Sequence, residues 1–153
     1  MKLYLVRHGQ AVSETVDPER PLSREGKAEV RKVAGFLKSA GVKVPEILHS
    51  GKARARQTAE ILASAVASGC SPRAVGGVAP NDPVHVVSRE LVSRSEDLML
   101  VGHFPHVARL GAFLLTGDET GFGLTFPTAS VLSLECDERG SWTLAWMIVP
   151  ELL

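Results

Sequence analysis

The stretch Leu3-Tyr4-Leu5-Val6-Arg7-His8-Gly9 places an arginine and a histidine directly after a short apolar run. The apolar run predicts a buried strand, so Arg7 and His8 are expected where this strand ends and its loop begins. A histidine in such a loop can act as a nucleophile, and the arginine keeps its charge and presents planar donors that suit phosphate. The pair favours phosphoryl chemistry, while a purely structural histidine at a strand end is the alternative.

The composition is that of an ordinary soluble globular protein. The 153 residues suit one domain spanning residues 1–153, with 44% hydrophobic and 22% charged residues. Lysine plus arginine and aspartate plus glutamate number 17 each, so no net field favours nucleic acid or an acidic membrane surface. The sequence starts with a strand pattern rather than a secretory signal, and it holds no apolar run long enough to span a bilayer. We therefore expect a cytoplasmic protein with no nucleic-acid and no membrane partner.

Strand-like and helix-like patterns alternate along most of the chain. The expected parallel strands cover residues 2–6, 46–49, 73–78 and 98–101. Amphipathic helices are expected from a Ser23 N-cap to about Ala40, from Ser50 through Val66, through Val87 to Leu91, and from Pro105 through Leu114. Two β-rich runs, 129–135 and 142–149, predict an antiparallel hairpin. The whole pattern predicts an α/β fold, in three α/β/α layers around a mostly parallel sheet.

Polar residues follow each predicted parallel strand. In an open α/β sheet, ligands collect outside the carboxyl ends of the strands, where the strand-to-helix loops and helix N-termini meet. The residues expected at that edge are Arg7, His8, Ser50, Arg54, Asn81, Asp82 and His103. Arg54 lies in the first turn of its helix, where the helix dipole also favours an anion. Two arginines and two histidines around one anion suit a phosphoryl group.

A metal site is not expected. His103 and His106 are three residues apart, but no third ligand has a suitable spacing and Arg7 would repel a cation. Cys70 and Cys136 lie in no metal-ligand or redox spacing, so we also expect no disulfide. The sequence thus predicts a site without metal or other cofactor.

Several other polar and aromatic residues have simpler interpretations. Ser50 is a candidate substrate contact, although capping its helix is the simpler role. His49 is expected at the rim of the pocket, whereas His85 and His106 are expected at the surface. Trp142 and Trp146 are interpreted as packing residues of the last strand.

Three segments in this order resemble the signatures of the histidine phosphatase superfamily: Arg7-His8-Gly9, Arg54-Ala55-Arg56-Gln57-Thr58-Ala59 and Val101-Gly102-His103. The resemblance extends to residues 20–23 with Gly26, to Asn81-Asp82 and to residues 126–130. Nearly the whole chain resembles the compact SixA-type phosphohistidine phosphatases, which implies a phosphoglycerate-mutase-like fold.

The resemblance implies that His8 is the nucleophile and carries the phosphoryl group transiently. Arg7, Arg54 and His103 would complete the phosphate pocket, with Gly9 and Ser50 as further substrate contacts. Water would then hydrolyse the phosphoenzyme.

The chain departs from the family pattern at two points. Gln10 stands where many relatives have an acidic residue. The glutamate that mutase-like enzymes use as proton donor has no clear counterpart, and Asp82 is the nearest candidate by loop position. The alternative role of Asp82 is to cap the helix that follows it.

The absence of an obvious acid favours phosphohistidine as the substrate, because its leaving imidazole can be protonated near neutral pH whereas an ester expels an alkoxide. The short stretch between Thr58 and Gly102 leaves no room for a lid, so an open pocket would admit a phosphorylated side chain of a partner protein. Two alternatives remain open: a broad small-molecule phosphomonoesterase and a non-catalytic phosphoprotein-binding module, the latter having no need for His8. Mutase activity is the least favoured, since it requires shielding from water.

Overall fold

The computed structural model describes residues 1–67 and 69–153. In chain order its elements are β1 (Lys2–Arg7), α1 (Arg24–Ser39), β2 (Glu46–His49), α2 (Ala53–Val66), β3 (Arg73–Ala74), α3 (Val84–Val92), β4 (Leu98–Gly102), α4 (His106–Thr116), β5 (Val131–Cys136), β6 (Trp142–Ile148) and a final 3-10 turn (Pro150–Leu152). Both cysteines are free thiols, as expected. Within the described ranges, no helix is long and apolar enough to cross a membrane.

The six strands form one sheet in the order β3-β2-β4-β1-β5-β6. β3, β2, β4 and β1 run parallel to one another, whereas β5 pairs antiparallel with both β1 and β6. Because successive side chains of a strand point to opposite faces, Tyr4 and Val6 pack under α1 and α2, while Leu3 and Leu5 pack under α3 and α4. The predicted three-layer α/β/α fold with an antiparallel hairpin is therefore confirmed.

The pairing of β1 with β4 fixes the position of the site. Both strands are buried on both faces, and Arg7 lies opposite Gly102 in their parallel register. The His8 amide continues the pairing by donating to the Gly102 carbonyl at 3.0 Å. The two histidines that follow, His8 and His103, consequently leave the sheet side by side.

The third strand is shorter than the sequence predicts. The expected strand over residues 73–78 is reduced to Arg73–Ala74 at the edge of the sheet. Gly77, at φ +78°, turns the chain soon afterwards. Glu46 of β2 accepts hydrogen bonds from Arg73 and Arg94, which hold this short edge against the sheet.

A bulge in the last strand separates the two tryptophans. Ser133 pairs with Trp146 and Leu134 with Leu144, so Ala145 is the extra residue of β6. Trp146 packs beneath α1 with its ring 5.9 Å from that of Tyr4, whereas Trp142 packs on the opposite face. Both are packing residues, as predicted.

Helix α1 passes close to the loop after His8 at Gly26. Ser23 caps α1 by accepting the Gly26 amide at 2.9 Å, and the Ser23 amide donates to the Gln10 carbonyl at 2.9 Å. A Cβ on Gly26 would lie 2.8 Å from the Gln10 amide nitrogen and closer still to the Gln10 carbonyl oxygen. Helix α1 can approach the loop after His8 only because residue 26 has no side chain.

We expect Gly26→Ala to lower the free energy of unfolding by about 1–3 kcal/mol, because the new methyl group must displace backbone. Gly35→Ala is the matched control in the same helix, since a Cβ there meets no atom of the described residues within 4 Å. It should raise the free energy of unfolding by about 0.5–1 kcal/mol. Urea unfolding measures both, and equal effects of the two substitutions would contradict the close approach.

Candidate active site

Three loops bring the predicted site residues together at the carboxyl edge of the parallel strands. The rings of His8 and His103 have their centroids 4.9 Å apart at an interplanar angle of 57°. From the first turn of α2, the Arg54 Nε–H points to His8 Nε2 at 3.3 Å. Arg54 and His103 are 46 and 95 residues away from His8 in the sequence. The sheet register and the first turn of α2 bring them next to it.

The hydrogen bond of His8 fixes its tautomer. Its Nδ1 lies 2.7 Å from the Gly9 carbonyl oxygen, which can only accept, so Nδ1 carries the proton. The ring is 9% exposed, and burial, with further contributions from the Arg54 and Arg7 charges, lowers the pKa of His8 to about 4. At neutral pH the imidazole is therefore uncharged, and the lone pair of Nε2 faces Arg54.

Gly9 and Thr58 hold the loop after β1 against α2. The Gly9 amide donates to Thr58 Oγ1 at 3.0 Å, and the Thr58 hydroxyl donates in turn to the Arg54 carbonyl at 2.7 Å. A Cβ on Gly9 would lie 2.7 Å from a methyl group of Val30. The Gly9 amide is thus already paired within the protein, and its carbonyl serves His8.

His103 is held by Ser50. The ring is 1% exposed, and its Nε2 lies 2.5 Å from Ser50 Oγ. Burial, together with the charges of His8 and Arg54, lowers the pKa of His103 to about 3. Ser50 does not cap α2, because the helix begins at Ala53 with Lys52 in the N-cap position. The capping interpretation of Ser50 is wrong, and the hydroxyl lies inside the site.

Arg7 is anchored by the loop that precedes β5. One of its terminal nitrogens donates to the Phe126 carbonyl at 2.7 Å, and its Cζ lies 5.5 Å from the centroid of the Phe104 ring. The amide of Ala129, which adopts a left-handed φ of +61°, donates to both the Arg7 and His8 carbonyls. The loop therefore fixes both the backbone and the guanidinium of Arg7.

Arg20 is a charged neighbour of the site that residue patterns alone did not single out. Its charge contributes to lowering the pKa values of both His8 and Arg54, so it lies close to them. It reaches them from the loop before α1, at φ +48°, with its Nε donating to the Val12 carbonyl at 3.3 Å. The only sequence signal was its place in the segment 20–23 that shares the family resemblance.

The contacts of Asp82 do not match the helix-capping role. Its Oδ2 accepts the Ala79 amide at 2.8 Å, and the N-cap of α3 is Pro83. The helix-capping alternative is therefore wrong, while the role of proton donor stays a prediction. Asp82 does lie near His106, because its charge opposes the lowering of the His106 pKa by burial.

The remaining histidines differ in exposure. His85 is exposed, as predicted. His106 was expected at the surface but is fully buried at the start of α4. His49, expected at the pocket rim, is 4% exposed, and its Nδ1 accepts the Gly51 amide at 3.1 Å. The prediction for His106 is wrong: Gly77 and Asp82, from the loop ahead of α3, lie near its ring, since both oppose the lowering of its pKa by burial.

The cation-rich character of the site argues against metal binding. Across residues 1–67 and 69–153, no group of three or more His, Cys, Asp or Glu side chains is arranged to hold a metal ion. Arg7 and Arg54 keep their charges, although burial lowers the pKa of each. The arrangement suits a tetrahedral anion with several charged oxygens.

The lowered pKa of His8 predicts that the protein loses stability in acid. The unfolded chain binds a proton near pH 6.5, whereas folded His8 stays neutral down to about pH 4. The free energy of unfolding should therefore fall as the pH drops from about 6.5 to 4, by up to about 1.4 kcal/mol per pH unit for this proton.

Urea unfolding between pH 4 and 8 tests this prediction. His8→Asn should have a shallower slope than the native protein, whereas His85→Asn, at an exposed histidine, should retain the native slope. Parallel slopes for the native protein and His8→Asn would contradict a neutral buried His8.

Comparison with known proteins places this geometry in a family. Residues 3–73 match the Histidine phosphatase superfamily (branch 1). The chain is 29% identical to phosphohistidine phosphatase SixA of Escherichia coli (strain K12), over 98% of this chain and 94% of the relative. An uncharacterised protein of Picosynechococcus sp. is 34% identical, over 88% and 84% of the two chains. The solved structure of the protein histidine phosphatase SixA complexed with tungstate superposes with a TM-score of 0.88 at 28% identity, covering 99% of both chains. This chain belongs to the histidine phosphatase superfamily and is similar to its SixA-type members over nearly its whole length.

Proposed function

We propose that this protein is a phosphohistidine phosphatase that works through a phosphohistidine intermediate on His8. The observation that carries the proposal is the unprotonated Nε2 of His8. This atom lies 3.3 Å from Arg54 Nε, and the ring centroids of His8 and His103 are 4.9 Å apart. A neutral imidazole with a free lone pair is the reactive form of a histidine nucleophile.

The first step transfers the phosphoryl group to His8. The Nε2 lone pair forms a bond to phosphorus as the bond from phosphorus to the substrate nitrogen breaks, and that nitrogen keeps the electron pair. The second nitrogen of the substrate ring has already taken a proton from water, so the ring leaves as neutral imidazole. The phosphorylated ring is cationic while Nδ1 keeps its proton, and the Gly9 carbonyl at 2.7 Å stabilises that charge. Water then attacks phosphorus, and His8 departs as the same neutral tautomer that began the cycle.

The surrounding side chains stabilise the transferring oxygens. Arg7 and Arg54 supply charged hydrogen-bond donors. The pair of His103 and Ser50 supplies further hydrogen-bond donors beside them. Arg20 adds positive charge nearby. Gly9 contributes through its carbonyl and its close packing, since its amide already binds Thr58. No metal or other cofactor is required by this scheme.

Phosphohistidine is the proposed substrate because its leaving group needs little help from an acid. The ring nitrogen that does not carry phosphorus is protonated near pH 6.5, so the imidazole leaves as a neutral molecule. An ester oxygen instead leaves as an alkoxide. Asp82, the candidate proton donor, already accepts the Ala79 amide. The similarity to SixA, described as a phosphohistidine phosphatase whose structure is complexed with the tetrahedral oxyanion tungstate, supports the same assignment.

A phosphorylated protein is the proposed partner because the described residues between α2 and β4 form only β3, α3 and their connections, with no long insertion that could cover the site. Helix α3 buries Val84, Val87 and Leu91 in the core, so it belongs to the helix layer that packs on the sheet with α4. An open pocket also admits a small phosphate ester, which keeps a broad phosphomonoesterase as the second candidate. A phosphoprotein-binding module is less favoured, because binding alone needs no buried nucleophile. Location in the cytoplasm and the absence of a nucleic-acid partner stay predictions.

Replacing the nucleophile tests the enzyme assignment. We expect His8→Asn to lower phosphate release from a phosphohistidine-bearing protein by at least about 10³-fold, while phosphate binding partly survives. His85→Asn, at an exposed histidine of α3, should retain native turnover. Rapid alkaline quenching of the native reaction should recover phosphate on His8. Tight binding of the phosphoprotein without release of phosphate by the native protein would instead favour the binding module.

Replacing Asp82 tests the leaving-group argument. Asp82→Asn keeps an acceptor for the Ala79 amide but removes the acid. If Asp82 donates the proton, the variant should lose about 10²-fold or more on an alkyl phosphate ester and far less on phosphohistidine. Steady-state rates on the two substrates measure this difference. Equal losses on both would exclude Asp82 as the proton donor, and a native preference for the ester would favour the phosphomonoesterase.

A further inference from the structure

We propose that Phe104 is the platform on which the imidazole ring of the substrate stacks while it is bound to phosphorus. This inference rests on the proposed phosphohistidine phosphatase function and names the residue that makes the site selective for an aromatic leaving group. It concerns the leaving group, which an in-line transfer to His8 places on the opposite side of the phosphorus.

Phe104 is exposed where a phenylalanine is usually buried. It directly follows His103, and its side chain is 49% exposed although the residues around it, His103 and Val107, are buried. Its ring lies 5.5 Å from Arg7 Cζ, within the range of a cation–π contact. The ring is therefore positioned by the same arginine that we assign to the phosphate, and part of it remains open to solvent.

A recess of about 320 Å³ adjoins this ring. Its lining residues are Arg7, Phe104, Leu124, Thr125, Phe126 and Pro127. The volume is at the lower end of the range of small-ligand clefts, about 300–1,000 Å³. Because Arg7 lines the recess and also belongs to the proposed phosphate pocket, a group bonded to phosphorus can extend from one into the other.

The chemistry of the recess favours an imidazole over other leaving groups. Arg7 is the one cation among the described lining residues, whereas Arg20, Arg54 and Lys52 act on His8 and His103 and do not line the recess. A flat ring packs on an aromatic face, and a protonated imidazole also gains from the negative face of that ring. An alkoxide leaving group would gain nothing from the same surface, because it departs as an anion.

The test compares two substrates that share the phosphorus–nitrogen bond but differ in the ring. Phosphohistidine carries the imidazole, whereas phosphoramidate carries only an amine. We expect Phe104→Ala to lower kcat/KM for phosphohistidine about three- to tenfold more than for phosphoramidate, mainly through KM. Phe104→Tyr, which keeps a flat ring, should restore most of the loss, and Phe104→Leu should restore less.

Phe122→Ala is the matched control, because Phe122 is 46% exposed and does not line the recess. It should leave the ratio of the two kcat/KM values at the native value. Equal losses on both substrates in Phe104→Ala would overturn the platform, since the ring would then act only through Arg7. An unchanged ratio in all three Phe104 variants would overturn it as well. A native protein that hydrolyses neither compound would overturn the proposed function together with the platform.

Discussion

The parallel register of β1 with β4 is the constraint on which the site depends. Pairing of Arg7 with Gly102 brings the residues that follow, His8 and His103, to the same point of the sheet edge. A slip of one residue would turn the Leu3 and Leu5 side chains into the layer of α1 and α2, and Tyr4 and Val6 into the layer of α3 and α4. The cost of that exchange in core packing keeps the two imidazoles 4.9 Å apart. Hydrophobic burial therefore fixes the distance between the rings of His8 and His103.

The electrostatics of the site follow from this enforced proximity. Arg7, Arg20 and Arg54 concentrate positive charge around two imidazoles, whereas the ion pairs found among the described residues use other arginines and lysines. Burial, reinforced by nearby positive charge, holds both histidines neutral, with pKa values of about 4 for His8 and about 3 for His103. An anion bound between the arginines would offset the repulsion among them. The unfavourable free energy of placing these like charges close together is thus offset when an anion binds.

Sequence reasoning predicted most of the elements, and it predicted that His8, Arg54 and His103 lie together. Apolar periodicity identified the sheet and helices, and the rule that ligands gather at carboxyl strand ends grouped His8, Arg54 and His103. It failed where non-local contacts decide the outcome. Ser50 lies beside His103 rather than capping α2 because the helix begins three residues later, and His106 is buried by a distant loop. Arg20 depends on a left-handed backbone conformation that no periodicity reveals.

The proton balance of His8, the proposed nucleophile, connects its tautomer to the proposed substrate. The Nδ1 proton of His8 is committed to the Gly9 carbonyl, so His8 has no proton to give to a leaving group. His103, with its pKa of about 3, is neutral near pH 7 and can donate only by becoming an imidazolate, which is costly. A leaving group that obtains its own proton from water at neutral pH is therefore the one that this site can release fastest. Phosphohistidine meets that requirement because the second nitrogen of its ring is basic, and an alkyl phosphate does not.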